Sequence, residues 1–190
     1  MSGMDYYITA QVLGFIALGL EMLRFQLKSS RLFFYIEPFL STIYFFQFFL
    51  LGALSAYAVS ALSIARAFCG ALLNQEQLRK IVIYFFIPSF LTIGFFTADS
   101  LLNSLPTLAI LFSTTAFLIR DQREIVVRLY ILNCLCWLVY AIPYEAYAHA
   151  IACCLILCSL IIGIFRHEEK YRNLLYLTTK LSTPVKSFKT

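Results

Sequence analysis

The sequence predicts an all-helical, polytopic membrane protein with seven transmembrane helices. Of its 190 residues, 61% are hydrophobic and only 13% are charged, whereas a soluble domain carries about 25% charged residues on its hydrated surface. Apolar stretches close to the length that crosses the hydrocarbon core of a bilayer recur along the whole chain. The composition argues against a disordered chain or a small disulfide-stapled domain. The length suits a single membrane domain over residues 1–190.

Seven apolar stretches approach the length of a membrane-crossing helix. Little more than Gly52 separates the second stretch from the third, and the fourth contains Pro88, which neighbouring membrane helices can accommodate. The fifth is the shortest and opens with Pro106 near a first-turn position. The predicted spans cover residues 6–23, 32–51, 53–73, 81–98, 105–119, 125–142 and 146–165.

The positions of the basic residues support this topology independently. Of the 15 basic residues, only Arg66 lies well inside a predicted span. Arg128 lies in the first turn of the sixth span, beside the connection before it, and the others lie in alternate connections or in the C-terminal segment. The positive-inside rule therefore predicts an N-terminus outside and a C-terminus in the cytoplasm. Because Asp5 rather than a basic region precedes the first span, we expect no cleavable signal peptide. The remaining basic residues are Arg24, Lys28, Arg31, Arg79, Lys80, Arg120, Arg123, Arg128, Arg166, Lys170, Arg172, Lys180, Lys186 and Lys189.

The spans divide into two similar triplets with one span between them. Each triplet opens with a helix, makes a basic turn and continues with two helices joined by a short turn. Two three-helix repeats of the same orientation need one extra crossing between them, so the fourth span is expected to be a linker helix. The predicted layout has parallel three-helix bundles at 6–73 and 105–165, a linker at 81–98 and a basic cytoplasmic tail at 166–190. The alternative is a seven-helix bundle without internal symmetry.

Four stretches of the chain resemble the YgjV family of bacterial inner-membrane proteins. They are Phe48–Ala53 (FFLLGA), Ile64–Arg66 (IAR), Cys134–Tyr140 (CLCWLVY) and Ile161–Arg166 (IIGIFR), and the resemblance covers about residues 11–166. It implies the three-one-three layout of the PQ-loop and SWEET-like superfamily and a small-solute transporter fold in the bacterial inner membrane.

The chain departs from that superfamily at two places. The proline–glutamine pair that gives the PQ-loop proteins their name is absent from this sequence. Ser60 and Ser63 occupy the third span, where members of the family often carry asparagines. SWEET-like proteins recognise sugars with paired asparagines near the midplane, so the resemblance does not imply that this chain transports a sugar.

Three ionisable residues lie within the predicted spans of the first triplet and are candidates for function, because charges inside a bilayer are costly. Arg66 lies roughly 10 Å and Glu37 roughly 8 Å inside the same face at the rise of a helix, and Glu21 is close to it. We expect an ion pair of Arg66 with Glu37 or Glu21 that holds the bundle together, gates it or couples it to protons. The alternative is that Arg66 extends to the interface. Pro38 frees a backbone carbonyl and is a candidate hinge.

A small set of uncharged polar residues lies near the middle of the predicted spans. An indole ring can stack on a solute ring while amide and hydroxyl groups bind its polar substituents, as solute pockets require. The alternative is hydrogen bonding between helices. The candidate solute-binding residues are Gln47, Ser60, Ser63, Asn133 and Trp137.

The sequence contains no catalytic or cofactor motif, and we expect neither enzymatic activity nor a cofactor. Cys154 and Cys158 share a helix face, but no histidine or carboxylate completes a zinc set at comparable depth, so we expect no metal site. Glu145 and His149 lie one turn apart near the outer end of the seventh span, where we expect a hydrated turn; the alternative is a pH-sensitive pair. The net charge of +5 is explained by the membrane topology, so no nucleic-acid partner is expected.

These observations favour a passive or proton-coupled carrier of a small polar solute in the bacterial inner membrane. The alternative is a non-transporting subunit, sensor or scaffold that uses its basic tail for contacts. The expected partners are the lipid bilayer and a small polar solute. A homo-oligomer is compatible with the sequence but is not required, because one three-one-three chain can already close a pathway.

Overall fold

The structure, a computed structural model, describes residues 3–26, 30–119, 123–162 and 164. Within these ranges the chain is all-helical, without strands, and contains seven helices. The predicted tail at 166–190 lies outside the described residues, as do parts of two basic turns. The helices are α1 (Gly3–Gln26), α2 (Ser30–Leu50), α3 (Leu54–Leu72), α4 (Gln75–Thr97), α5 (Leu101–Leu118), α6 (Arg123–Ala141) and α7 (Tyr147–Ile162).

The lengths and compositions of the helices support several membrane spans. Among the described residues, four helices are long and apolar enough to cross a membrane, and two more are apolar but shorter. Helix α2 has 21 residues, which is long enough to cross a membrane. Because only four described helices meet both criteria of length and apolarity, the seven membrane crossings stay a prediction. The four candidate spans are Met4–Leu23, Leu54–Leu72, Gln75–Thr97 and Glu124–Ala141.

Helix α4 begins at Gln75, earlier than the predicted start at residue 81. The side chain of Asn74 caps the helix, because its Oδ1 accepts a hydrogen bond from the backbone N–H of Gln77 at 3.0 Å. One turn later, the Nζ of Lys80 lies 2.8 Å from the Oε1 of Glu76. A polar, capped turn of helix therefore precedes the apolar stretch that the sequence predicts from residue 81.

The middle of α4 departs from α-helical geometry. Residues Val82–Phe86 form a π-helical segment, and the α-helix resumes at Ile87–Thr97 with Pro88 in its first turn. A proline has no N–H to donate, and its ring crowds the carbonyl of the preceding turn. A wider π turn directly before the proline relieves that crowding.

Helix α5 also begins earlier than predicted, at Leu101 rather than at residue 105. The Oγ of Ser100 accepts a hydrogen bond from the backbone N–H of Asn103 at 3.2 Å, which sets the first turn. Pro106 therefore lies inside the helix and not at its first turn. The serine cap determines where α5 starts, and the proline was misread as the start signal.

The helices pack around a core shared by both triplets. Helix α2 contacts both α1 and α3, and α3 also contacts α4 and α5, which in turn packs on α6. Helix α3 approaches its neighbours closely because most of the small residues in it and just before it are buried. Large aromatic side chains on the outer face, such as Tyr84 and Phe95, are 80% and 83% exposed, which suits contact with lipid. The buried small residues are Ala53, Ala56, Ser60, Ser63 and Ala67.

Two ends of the helix bundle can be distinguished by their connections. Successive helices run in opposite directions because the connections between them are short. The last turns of α1, α3 and α5 and the first turns of α2, α4 and α6 lie at one end, and the basic residues of the sequence cluster in or beside these turns. This end is called the basic end. The connections α2–α3, α4–α5 and α6–α7 lie at the other end, called the aromatic end because the packed rings of Phe48, Trp137 and Tyr140 lie close to it.

Candidate functional site: a cavity between the two triplets

A cavity of about 180 Å³ lies between helices of both triplets. Side chains from α1, α2 and α3 line one side of it, and side chains from α5, α6 and α7 line the other. The structure brings most of the predicted site residues to this one cavity. Those that line it are Glu21, Glu37, Ser60, Ser63, Arg66, Asn133 and Trp137.

Arg66 and Glu37 lie together toward the basic end of the cavity. The Nη2 of Arg66 is 3.8 Å from the Oε1 of Glu37, a distance typical of an ion pair without a direct hydrogen bond. Their side chains are 12% and 27% exposed. The Nη1 of Arg66 also donates to the Oγ1 of Thr114 at 3.3 Å. Because Thr114 belongs to α5, the guanidinium connects the two triplets, which the sequence did not indicate.

Glu21 lies near the same end and is held by a tyrosine that sequence reasoning missed. The hydroxyl of Tyr44 donates a hydrogen bond to the Oε2 of Glu21 at 2.6 Å, connecting α1 to α2. Bonds to a carboxylate are short and strong. Tyr44 follows Glu37 by two helical turns and so shares its face of α2. The seven-residue spacing of Glu37 and Tyr44 was the signal in the sequence that could have placed Tyr44 at the same site.

Stacked rings form the aromatic end of the cavity. The rings of Phe48 and Trp137 stack with centroids 5.4 Å apart, and Tyr140 contacts both at 6.2 Å. His149 meets Phe48 at 5.2 Å and Trp137 at 5.1 Å, edge to face. Phe48 and Tyr140 are fully buried. This layer, made of Phe48, Trp137, Tyr140 and His149, separates the cavity from the aromatic end of the bundle.

The structure corrects the expected position of His149. The side chain is only 8% exposed and lines the cavity, so it does not lie in a hydrated turn. Neither ring nitrogen has a hydrogen-bond partner in the described part of the chain. Glu145, by contrast, is exposed and lies in the turn with a φ of 54°. Tertiary packing against α2 and α6 buries the histidine, and spacing along α7 alone did not reveal it.

Polar contacts fasten the helices beyond the aromatic layer. The hydroxyls of Ser55 and Tyr140 are 2.9 Å apart, and the ring of Tyr140 stacks on Tyr144 at 4.6 Å. The hydroxyl of Tyr144 donates to the Oδ1 of Asn103 at 2.7 Å, and the Nδ2 of Asn103 donates to Asp99 at 2.5 Å. These bonds join α3, α5 and the α6–α7 turn at the aromatic end.

Gln47 is the predicted solute-binding residue that the structure leaves away from the cavity. It is fully buried, and neither its amide nitrogen nor its amide oxygen has a hydrogen-bond partner among the described residues. It lies where α1, α2 and α7 meet. A Cβ at Gly14 would lie 2.9 Å from the Cδ of Gln47 and 2.8 Å from the Cβ of Ala148, closer than real side chains approach.

The predicted hydroxyl and amide donors are less exposed to the cavity than the sequence suggested. The Oγ of Ser63 donates to the carbonyl of Val59 in its own helix at 2.8 Å. Ser60 is 6% exposed. The Nδ2 of Asn133 lies 4.0 Å from the sulfur of Cys134, a weak contact. The cavity therefore presents charges and rings more prominently than hydroxyl groups.

Comparison with known proteins identifies the family. Residues 8–171 match the family Imp-YgjV, described as bacterial inner membrane protein. The chain belongs to this family. The matched range contains every residue that lines the cavity. No curated protein and no solved structure matches the chain.

Family membership confirms part of the prediction made from the sequence. The chain is a member of a bacterial inner membrane protein family, and its helices include several candidate spans. It therefore lies in the lipid bilayer of the inner membrane. Membership of the wider PQ-loop and SWEET-like superfamily stays a prediction.

Proposed function

We propose that the protein carries a small polar solute across the bacterial inner membrane and that the cavity is its solute site. One observation carries the proposal: both triplets contribute side chains to a single cavity that contains charged, hydroxyl and aromatic groups. Charged groups are costly inside a bilayer unless they are paired or serve a solute pathway. Solute pockets combine apolar walls with a few convergent polar groups.

The proposed transport cycle uses the SWEET-like arrangement of two parallel triplets joined by α4. The N-terminus lies outside and the C-terminus in the cytoplasm, so the basic end faces the cytoplasm. In this orientation the aromatic layer closes the cavity on the outer side. Rocking of one triplet against the other opens each end in turn, as in carriers built from internal repeats.

Pro38 is the proposed hinge of that motion. It lies inside α2, and its carbonyl accepts a hydrogen bond from the Oγ1 of Thr42 at 2.7 Å. A proline removes one backbone hydrogen bond and permits a bend. Glu37 is next to it, so bending at Pro38 alters the distance between Glu37 and Arg66. The Arg66–Glu37 ion pair can then respond to the opening and closing of the cavity.

The test is solute flux into proteoliposomes, measured for sugars, amino acids and nucleobases. We expect saturable flux of at least one solute, and Trp137→Ala should reduce it strongly because Trp137 lines the cavity. Leu135→Ala is the matched control, because Leu135 lies on the same helix but is 43% exposed on its outer face. Absence of flux for every solute, together with a stable partner in a gentle pull-down, would instead support a non-transporting subunit, sensor or scaffold.

A further inference from the structure

Building on that proposed function, we propose that His149 is a proton-binding site whose occupation opens the aromatic layer. His149 belongs to the layer and lines the cavity, and its side chain is only 8% exposed. In the orientation proposed for the chain, protons on the outer side of the membrane then control access to the cavity from that side. A carrier of this kind opens outward more readily in an acidic medium.

The imidazole of His149 is packed among three aromatic rings. The ring centroids of Tyr44, Phe48 and Trp137 lie 4.6, 5.2 and 5.1 Å from its own, and all three contacts are edge to face. Neither ring nitrogen has a hydrogen-bond partner in the part of the chain that the structure describes. A neutral imidazole carries one N–H donor and one lone pair. The closed layer leaves both of them unsatisfied, and the lone pair is the position that a proton takes.

Of the described residues, no charged side chain forms an ion pair or a hydrogen bond with the imidazole. The nearest titratable side chain with a measured contact is Tyr44 of α2, whose hydroxyl is donated to the Oε2 of Glu21 on α1 at 2.6 Å. Glu145, in the turn before α7, is exposed. The other titratable side chains that line the cavity are Glu37, Arg66, Tyr130, Cys134 and Cys153.

A charged imidazolium fits the closed layer poorly. Burying a charge is costly unless the charge is paired and hydrogen-bonded. The faces of the neighbouring rings attract a cation, but they provide no lone pair to accept its two N–H bonds. Water supplies these acceptors once the rings separate. The closed layer therefore admits the neutral imidazole, whereas the open layer admits both forms, and proton binding shifts the population toward the open state.

The direction of the pH effect follows from these two states. An imidazole in water takes up its proton near about pH 6.5, so above that pH both states are neutral and ring packing keeps the layer closed. Below it, each unit of acidification should multiply the ratio of open to closed protein by up to about tenfold, because only the open state gains the proton. The proton comes from water at the aromatic end, binds the lone pair of the ring nitrogen and returns to water when the layer closes again.

A second buried polar side chain beside the layer favours its opening. Gln47 precedes Phe48, is fully buried and has no partner for either amide atom among the described residues. Gly14, Gln47 and Ala148 meet so closely that a Cβ on the glycine would contact both neighbours, and Ala148 precedes His149. Separation of α1, α2 and α7 here lets water reach both unpaired side chains. Their hydration offsets part of the cost of separating the rings.

The chain carries its own reporter of the layer. Trp137 is the single tryptophan in the sequence and contacts His149 directly. Quenching of its fluorescence by neutral acrylamide tests the proposal on the purified protein in lipid nanodiscs, between about pH 8 and about pH 4.5, a range that spans the titration of a hydrated histidine. We expect protection at the upper pH, since Trp137 is 9% exposed in the closed layer. On acidification the quenching constant should rise by about threefold or more, reversibly and with unchanged helicity by circular dichroism.

Histidine variants separate His149 from other titrating groups. The chain has two histidines, so His167→Gln is the matched control and should keep the pH response. His149→Gln keeps a polar side chain that does not titrate in this range, so the protection of Trp137 should become independent of pH. A response that persists in His149→Gln, or a flat response in the unmodified protein, would overturn the proposal.

Nuclear magnetic resonance provides a second measurement if His149→Gln does not fold. In the His167→Gln protein, labelling with ¹⁵N-histidine gives the signal of His149 alone. We expect this signal to change from the neutral to the protonated form over the same pH range in which Trp137 becomes accessible. A protonated signal while Trp137 stays protected, or an accessible Trp137 while the signal stays neutral, would contradict the link between the proton and the layer.

The outcome also separates this inference from the proposed function. Flux of a solute into proteoliposomes that is independent of pH, with Trp137 protected throughout, would support a carrier and refute the proton site. Absence of flux for every solute, together with a pH-dependent exposure of Trp137 that requires His149, would refute the carrier and retain the proton site, as expected of a sensor.

Discussion

The two ends of the cavity are stabilised in different ways. Toward the basic end, an ion pair and the hydrogen bond from Tyr44 to Glu21 connect α1, α2 and α3, and Arg66 reaches across to Thr114. At the aromatic end, buried rings pack against one another, and the hydroxyl of Tyr140 is hydrogen-bonded to that of Ser55 beyond the layer. The first end depends on charge and on the orientation of a few atoms, whereas the second depends on close packing over a large area.

This difference predicts distinct responses to mutation. Removing one charge leaves its partner in a medium that solvates it poorly, so the charged end should respond sharply to single changes and recover when both charges are exchanged. Removing a ring leaves a void, which no second substitution at the charged end can repair. The two ends can therefore be tested separately.

The largest effect is expected from breaking the ion pair. Glu37→Gln should lower the free energy of unfolding by about 3 kcal/mol, because Arg66 is largely buried and keeps its charge. The double exchange Glu37→Arg with Arg66→Glu should recover at least half of that loss. Unfolding in mixed micelles measures both. An exchanged protein no more stable than Arg66→Glu alone would show that direct pairing contributes little.

A smaller effect is expected from the aromatic layer. Phe48→Ala should lower the free energy of unfolding by roughly 2–3 kcal/mol. The substitution leaves a cavity that costs about 24 cal/mol per Å³, and this cost remains when the unfolded helices are surrounded by lipid rather than by water. Phe49→Ala is the matched control: it is the next residue in the chain, but its side chain is 55% exposed. Similar losses in both variants would mean that the layer is not tightly packed.

The smallest effect is expected from the hydroxyl groups behind the layer. Tyr140→Phe should cost about 1–2 kcal/mol, because the buried hydroxyl of Ser55 loses its partner at 2.9 Å. Adding Ser55→Ala should restore much of this loss, since no unsatisfied group then remains. The measurement is a double-mutant cycle of unfolding free energies. Strictly additive losses would exclude a direct bond between the two hydroxyls.

The sequence was sufficient to predict the helices and the charged end of the site, because hydropathy and rare membrane charges are local signals. Arg66 and Glu37 could be singled out by depth alone. The starts of α4 and α5 were missed because the caps Asn74 and Ser100 lie outside the apolar stretches.

Other features of the site depend on tertiary packing and leave no local signal. His149 was assigned to a hydrated turn, yet rings from α2 and α6 bury it. Gln47 was placed in the cavity, yet the approach of α1 at Gly14 buries it elsewhere. In both cases the deciding neighbours come from helices distant in sequence, so no pattern within one helix could reveal them.

The π-helical segment of α4 has a geometric consequence. The residues that α4 buries recur at a strict interval of four. On a straight α-helix such a row would rotate about the axis by roughly 40° at every step. A wider turn at Val82–Phe86 takes up part of that rotation, so α4 presents a nearly straight contact line to α3 and α5. The buried row is Leu78, Val82, Phe86, Phe90 and Gly94.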